Sequence, residues 1–319
     1  MSDQPTFAAL AFANKKKKTR REKFLEEMDQ VVPWTKLLHV IERYYPRAGN
    51  GRPPMGAEKM LRIYVLQQWF NLSDPAMEDA LYDIESLRRF AGIELGQDDV
   101  PDETTILNFR HLLERQGLAK KLFKKINEHL EQRGLLLRQG TIVDATIMAA
   151  PTSTKNANGT RDPEMSSVRK GQEWHFGMKL HVGVDSISGL AHSATVTTAS
   201  VHDSHVMDEL LHGSETDVYG DSAYTGRERR QQYEARGIRW WVQRHGYRHR
   251  ALSERDRQWN RRQSSVRAKV EHIFHVVKRL WGHHKVRYRG LAKNEAHYFS
   301  LLALANLFLV RRHLRQLRA

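Results

Sequence analysis

The sequence predicts an α/β protein in two parts, an all-α region followed from about residue 135 by a mixed sheet with flanking helices. Before that residue apolar side chains recur at helical spacing, whereas after it short alternating segments typical of strands alternate with helical ones. The 319 residues suffice for one large or two ordinary domains with proper cores. We therefore expect a basic arm at 1–30, a helical region at 31–134 and an α/β domain at 135–319.

The helical region contains several helix-start signals. Pro33 and Pro54 each precede an apolar helical pattern, Ser73 with Pro75 suits the first turn of another helix, and Asp102 is a cap residue. Short helices with basic faces are typical of a helix-turn-helix DNA-binding module, and equally of a plain helical bundle. We expect this region to bind DNA and leave the two architectures open.

The α/β domain is predicted from the order of its elements. Strands are indicated at 141–147, 178–184, 190–198, 218–221 and 238–242, with helical stretches at 202–212 and 263–280. The second and third strands are joined by a turn and form a hairpin. This order agrees with the ribonuclease H-like fold, a mixed sheet with helices on its faces.

Charge indicates the kind of partner. The chain has 52 Lys and Arg against 37 Asp and Glu, a formal net charge of +15, which favours an anionic polymer such as nucleic acid. Ribosomal and membrane-surface proteins are also basic, so charge alone names no activity. Cysteine is absent, which excludes disulfides and thiolate zinc sites. With no secretory or membrane-spanning pattern, we expect a cytoplasmic protein that is associated with DNA in the nucleoid.

Basic residues form two groups that are candidates for DNA binding. One is the arm, with Lys15, Lys16, Lys17 and Lys18; the other follows Asp221 and includes Arg248, Arg261 and Arg262 among several tryptophans. Such residues supply phosphate contacts and flat stacking surfaces. The alternatives are a solvated tail and a basic surface over core tryptophans.

Five residues form the main candidate site. Arg267, Glu271 and Lys278 fall on one face of a helix at 3.6 residues per turn, beside an apolar stripe of Val266, Val270, Ile273, Val277 and Leu280. Two isolated aspartates, Asp144 and Asp221, lie on strand-like segments upstream. Taken alone, the helix is equally an ordinary solvated one with an Arg–Glu pair. If the three acids converge, they suit a metal site for cutting nucleic acid.

Three converging carboxylates have a chemical use in phosphodiester cleavage. Two Mg²⁺ ions roughly 3.5 to 4 Å apart stabilise the attacking and leaving oxygens, and Mn²⁺ is a substitute. Hard cations prefer carboxylate oxygens. Without cations the three acids would repel one another and raise a pKa. If Asp144, Asp221 and Glu271 converge, a metal is therefore implied, and the three acids would be both catalytic and metal-binding.

Three segments carry a family resemblance. Residues 142–147 (IVDATI), 219–224 (YGDSAY) and 265–274 (SVRAKVEHIF), with Lys278 following, resemble bacterial insertion-sequence DDE transposases of the insertion-sequence-five group. The likeness extends over 174–203 and 288–308, and residues 51–93 are similar to that group's helical domain. The resemblance implies that the three acids bind the metals and that Arg267 and Lys278 bind DNA phosphates. The superfamily pattern has tyrosine where this chain has Ser264.

Histidines offer a rival metal site. His202, Asp203 and His205 are closely spaced, with His175, His181 and His192 on neighbouring strands. The alternative is that Asp203 caps the following helix. A third alternative is that Asp203, instead of Glu271, lies closest to the metals, and His202 and Asp203 are auxiliary candidates.

The resulting hypothesis is a magnesium-dependent transposase that cuts the ends of its own element and joins them to target DNA. Two element ends are handled together, so a homodimer on DNA is expected. The rival enzyme is a structure-selective nuclease on the same fold. The rival outside enzymes is a non-catalytic DNA-binding protein derived from a transposase.

Overall fold

The computed structural model describes residues 14–50, 53–156, 159–246 and 251–317. Seven helices occupy the first part of these residues: α1 Arg20–Val31, α2 Trp34–Glu42, α3 Ala57–Phe70, α4 Asp74–Asp83, α5 Glu85–Ala91, α6 Glu103–Arg115 and α7 Leu118–Glu131. The predicted caps of α4 and α6 are confirmed, since Ser73 and Asp102 accept hydrogen bonds from backbone N–H groups. Helix α1 lies in the expected arm, and it buries Leu25 and Met28.

Six strands of the described residues form one sheet. The second part of the chain comprises β1 Gly140–Ala149, β2 Ser166–Lys170, β3 Glu173–Asp185, β4 Ala191–Thr198, β5 Asp217–Gly220, α8 Arg227–Ala235, β6 Arg239–Val242, α9 Glu254–His275 and α10 Leu291–Gln316. Two 3₁₀ turns, Asp203–Leu210 and Ser222–Tyr224, and a π-helical turn, Val276–Leu280, complete it.

The strand pairing is that of a ribonuclease H-like core. The order is β2–β3–β1–β5–β6, with β4 also paired to β3. Strand β1 is antiparallel to β3 and parallel to β5, which is parallel to β6. The predicted mixed sheet is thereby confirmed, and β2 is an addition that the sequence pattern did not indicate.

Both faces of the sheet are covered. On one face Ile142 and Val182 share a hydrophobic cluster with Val270 and Ile273 of α9. On the other face Val143 and Val218 pack with residues of the turn Asp203–Leu210 and of α8. Side chains from elements on either face of the sheet can therefore reach the carboxyl-terminal half of β1.

Helix α10 joins the helical region to the sheet. The buried Asn306 donates to the Asn127 side chain on α7 at 2.9 Å and to the Ala191 carbonyl on β4 at 2.7 Å, and it accepts from the Ala191 N–H at 2.9 Å. Residues 298–310 of α10 are largely buried. No helix among the described residues is long and apolar enough to cross a membrane.

Candidate active site

Asp144 and Asp221 are placed together by strand register. The parallel pairing of β1 and β5 joins Ile142 to Tyr219. Two residues further on, Asp144 and Asp221 therefore lie beside each other at the same end of the two strands. Asp221 follows β5 directly, and its carboxylate accepts the Ala223 N–H at 2.9 Å.

Helix α9 supplies the third acid from one face of the sheet. Ser253 caps the helix through a capping box with Asp256, so the helix begins at Glu254, nine residues before 263. Its residues Arg267, Glu271 and Phe274, together with Lys278 in the π turn, line the same cleft as the two aspartates. The prediction that Arg267, Glu271 and Lys278 lie on one face of the helix agrees with their presence in this one cleft.

The apolar stripe of α9 departs from expectation at its end. Val270, Ile273 and Val277 are buried, whereas Leu280 is 54% exposed. The π turn Val276–Leu280 explains the difference, since its wider winding rotates the last residues relative to an α-helix. Leu280 was therefore wrongly assigned to the buried side.

The cleft has a volume of about 690 Å³ and combines acidic and basic walls. Its acids are the three candidates and Asp203. Its cations surround them: Arg169, Lys170, Lys179, Arg267, Lys278 and Arg279. A metal-dependent site that holds a phosphate backbone requires both kinds of charge.

Arg267 balances part of the acidic charge. Its Nη2 lies 3.5 Å from Oδ2 of Asp144, and its Nη1 donates to Oε1 of Gln243 at 2.9 Å. The buried Nε has no hydrogen-bond acceptor among the described residues. The Arg267 guanidinium therefore supplies positive charge beside the Asp144 carboxylate.

The environment of Asp144 disfavours ionisation of its carboxyl group. Burial, with smaller effects from Asp221 and Glu271, raises its pKa to about 6 even though Arg267 and the Ala145 N–H act to lower it. The Ala145 N–H donates to Oδ1 of Asp144 at 2.8 Å. Ionising Asp144 therefore costs free energy that an added divalent cation would offset.

Tyr224 marks the point where three aspartates approach one another. Its ring is fully buried, and Gly220 leaves space for it, since a Cβ there would lie 3.2 Å from Cδ2 of the ring. Burial and then the charges of Asp203, Asp144 and Asp221 raise the pKa of the Tyr224 hydroxyl. The hydroxyl makes no hydrogen bond within the described residues.

Lys278 bridges the helix to the first strand. Its Nζ donates to Oγ1 of Thr146 at 2.9 Å and to the Ile147 carbonyl at 3.0 Å. Burial, followed by the charges of Lys170 and Arg279, lowers its pKa, and Glu271 acts in the opposite direction. The amine is half-buried at the rim of the cleft.

Asp203 reaches the cleft from the opposite face of the sheet, where it pairs with Lys179 at 2.8 Å. His202 is exposed and is itself the cap of the turn, since its ring accepts from the Ser204 N–H. The interpretation of Asp203 as the cap is therefore wrong. No group of three His, Asp or Glu side chains in the described chain is arranged to hold a metal, so the histidine cluster does not form there.

The same finding applies to the three acids in their present side-chain positions. They share one cleft, yet Asp144 is turned to Arg267, and Glu271 is exposed without a hydrogen bond or ion pair to any described residue. The donor set itself fits a hard cation, because every candidate ligand is a carboxylate oxygen. The raised pKa of Asp144 agrees with a carboxylate site that fits an added cation, whereas the unsatisfied Nε–H of Arg267 fits an added acceptor such as a phosphate oxygen.

The basic candidates outside the cleft differ in their ion pairs and in their exposure. Lys15 pairs with Glu22, and Lys18 pairs with Glu26 at 2.8 Å. Lys16 and Lys17 are exposed before α1, as are Arg261 and Arg262 on α9. Arg248 lies outside the described residues.

Gln243 and Lys179 belong to the site but were not identified from sequence. Gln243 follows β6, and its Nε2 donates to Oγ of Ser264 at 2.7 Å while its Oε1 holds Arg267. Ser264, which stands at the expected tyrosine position, thus helps to orient Gln243. Lys179 alternates with the apolar Leu180 along β3, and that alternation places it on the other face.

Comparisons with known proteins gave two family matches and a likeness to solved structures. Residues 136–307 match the family described as "Transposase DDE domain", and residues 13–112 match the family described as "Transposase domain (DUF772)". Among solved structures, a cryo-EM structure of a piggyBac transposase synaptic complex with hairpin DNA covers 92% of this chain and 73% of that chain, at 10% identity and a TM-score of 0.47.

Proposed function

Because this chain belongs to the transposase DDE domain family, whose model matches more than half of it, we propose that it cuts the ends of its own insertion element and joins them to target DNA. The observation that carries the proposal is the single cleft that Asp144, Asp221 and Glu271 line together, with cations around them. We assign the chain to the insertion-sequence-five group on its three sequence motifs.

The chemistry proposed is two successive phosphoryl transfers. Water first attacks the phosphorus at an element end and releases a 3′ hydroxyl. That hydroxyl then attacks a target phosphodiester, so that one P–O bond forms as another breaks. Asp144, Asp221 and Glu271 would hold two Mg²⁺ ions, which stabilise the charge on the attacking and leaving oxygens when bound.

The chain's own cations position the DNA in this proposal. Lys278 and Arg267 bind phosphates next to the reacting bond, and Gln243 fixes the guanidinium plane of Arg267. Lys16, Lys17, Arg261 and Arg262 extend the contact with the backbone. The helical region binds the terminal repeats, and a dimer brings two ends together.

The test is an excision assay with magnesium and a plasmid that carries the flanking repeats of the chain's own gene. Excision with integration supports the proposal. Cleavage without joining supports the nuclease, and a mobility shift alone supports the non-catalytic binder.

Variants in the same assay identify the site. Asp144→Asn, Asp221→Asn and Glu271→Gln should each abolish cleavage while DNA affinity is retained. Glu228→Gln, on the exposed side of α8, is the matched control and should cut normally. Normal cleavage by Glu271→Gln would remove Glu271 from the site.

A further inference from the structure

Trp174 is exposed in a way that the other tryptophans are not. All seven lie in the described chain, and six of them are buried or partly buried. Trp174 exposes 70% of its surface. A single exposed apolar side chain is common on protein surfaces, but a large aromatic ring also offers a flat face for stacking, so the groups around Trp174 decide its role.

The ring stands on a hairpin beside the cleft. Strands β2 and β3 are joined by a short turn, and Trp174 is the second residue of β3. Strand β1 ends at Ala149, which pairs with Gly177, so the first residues of β3 extend beyond it. Val168, Arg169 and Lys170 of β2 form part of the cleft wall.

The hairpin is braced rather than loose. Trp174 is paired with Arg169 in the ladder. Arg169 in turn donates to the Gly171 carbonyl at 3.2 Å and to the Gln172 side chain at 2.9 Å. At the base of β2, Oγ of Ser166 accepts from Oγ1 of Thr198 at 2.6 Å and from the Ser200 N–H at 2.8 Å. The strands that carry Trp174 are therefore held in place beside the cleft.

The charges around the hairpin indicate the chemistry of the partner. Lys170 faces the cleft that Lys278 and Arg279 line from the other side. Cations on two sides of one opening repel one another unless an anion lies between them. A polymer with phosphates for these cations and flat rings for Trp174 is a nucleic acid with unstacked bases.

We propose that Trp174 stacks on an unpaired base of the DNA strand entering the cleft, while Arg169 and Lys170 hold the adjoining phosphates. The stacked base fixes the position of the strand relative to the carboxylates. This inference rests on the proposed function and adds a positioning residue to it.

The experiment uses metal-free protein and an element-end duplex with one unpaired 2-aminopurine at the cut position. Binding by the wild type should quench the 2-aminopurine emission. Trp174→Ala should abolish the quenching and weaken binding roughly 5- to 150-fold, the range expected for loss of one base–aromatic stack. Trp174→Phe should retain most of both. Ile187→Ala, which removes another exposed apolar side chain in the turn after β3, is the control and should behave as wild type.

Two outcomes would overturn the inference. One is normal quenching and affinity in Trp174→Ala. The other is a change in sedimentation with unchanged DNA binding, which would make the hairpin a contact between copies of the chain. Since the readout requires no cleavage, wild-type quenching without any excision would defeat the proposed function and leave the stacking contact standing.

Discussion

Arg267 on α9 and Asp144 on β1 form an ion pair of 3.5 Å inside the candidate active site. The pair joins the helix that carries Glu271 to the strand that carries the first aspartate. It also holds a positive charge among acids that would otherwise repel one another. Its strength is therefore coupled to whatever else binds those acids.

Replacing Arg267 should change the titration of Asp144. Arg267→Gln removes the cation that opposes burial, so the pKa of Asp144 should rise above about 6. Carbon-13 NMR of the aspartate carboxyls measures it. Lys269→Gln is the control, because Lys269 donates to the Ser186 and Ile187 carbonyls away from the cleft. An unchanged titration in Arg267→Gln would show that the ion pair is absent in solution.

Removal of the Asp144 charge should stabilise the metal-free protein. The folded pKa of about 6 exceeds the ordinary value of 3.8, so the protonated form is favoured on folding. That stabilisation is present below pH 3.8 and is lost as the pH rises through about 6. At pH 8 Asp144→Asn should raise the free energy of unfolding by up to about 3 kcal/mol.

Urea unfolding in chelator measures this difference, and Glu228→Gln should show none. Added Ca²⁺ should stabilise the wild type and leave Asp144→Asn unaffected, because binding to the folded state alone shifts stability. Equal responses of the two proteins to Ca²⁺ would exclude Asp144 as a ligand.

Lys278 should contribute one phosphate contact. Lys278→Ala should reduce the slope of log affinity against log salt by about 1, while Lys269→Ala leaves it unchanged. Titrations of labelled DNA at several salt concentrations give the slope. A Lys278→Ala slope equal to that of the wild type would confine Lys278 to its contacts with Thr146 and Ile147.

Two buried histidines predict acid sensitivity. Nε2 of His297 lies 3.2 Å from Nδ1 of His283. Nε2 of His283 lies 2.8 Å from the Gln68 carbonyl oxygen. Burial lowers the pKa of His283 to about 4 and that of His297 well below its usual value of 6.5. The unfolded chain therefore takes up protons first, and stability is lost as the pH falls from 6.5 towards 4.

The loss from His283 alone should be about 3 kcal/mol over that range. His283→Gln should flatten the pH dependence of urea unfolding, whereas replacement of the exposed His313 should not. If the free energy of unfolding of His283→Gln still falls steeply in acid, other groups cause the acid sensitivity.

The sequence predicted the strands around the site because their apolar residues alternate strongly. It did not predict β2, since Ser166–Lys170 is polar and is held by its ladder and by Ser166. The start of α9 was also hidden, because residues 254–262 have no apolar face. In each case tertiary contacts decide the structure.

Within the candidate site, residue types and helical spacing identified the residues that line the cleft from β1, β5 and α9. They could not identify Gln243, whose contact with Arg267 spans 24 positions in the chain. Nor could they place Asp203, which approaches from the far face of the sheet. Such relations depend on the packing of whole elements.

The position of Asn306 limits how such a chain can be divided or recombined. One amide side chain satisfies groups on α7 and β4 at once, and the helix that bears it is the last in the sequence. A fragment that stops before this helix would expose apolar surface on both halves. An exchange of the helical region between relatives would have to carry matching residues at the carboxyl end as well.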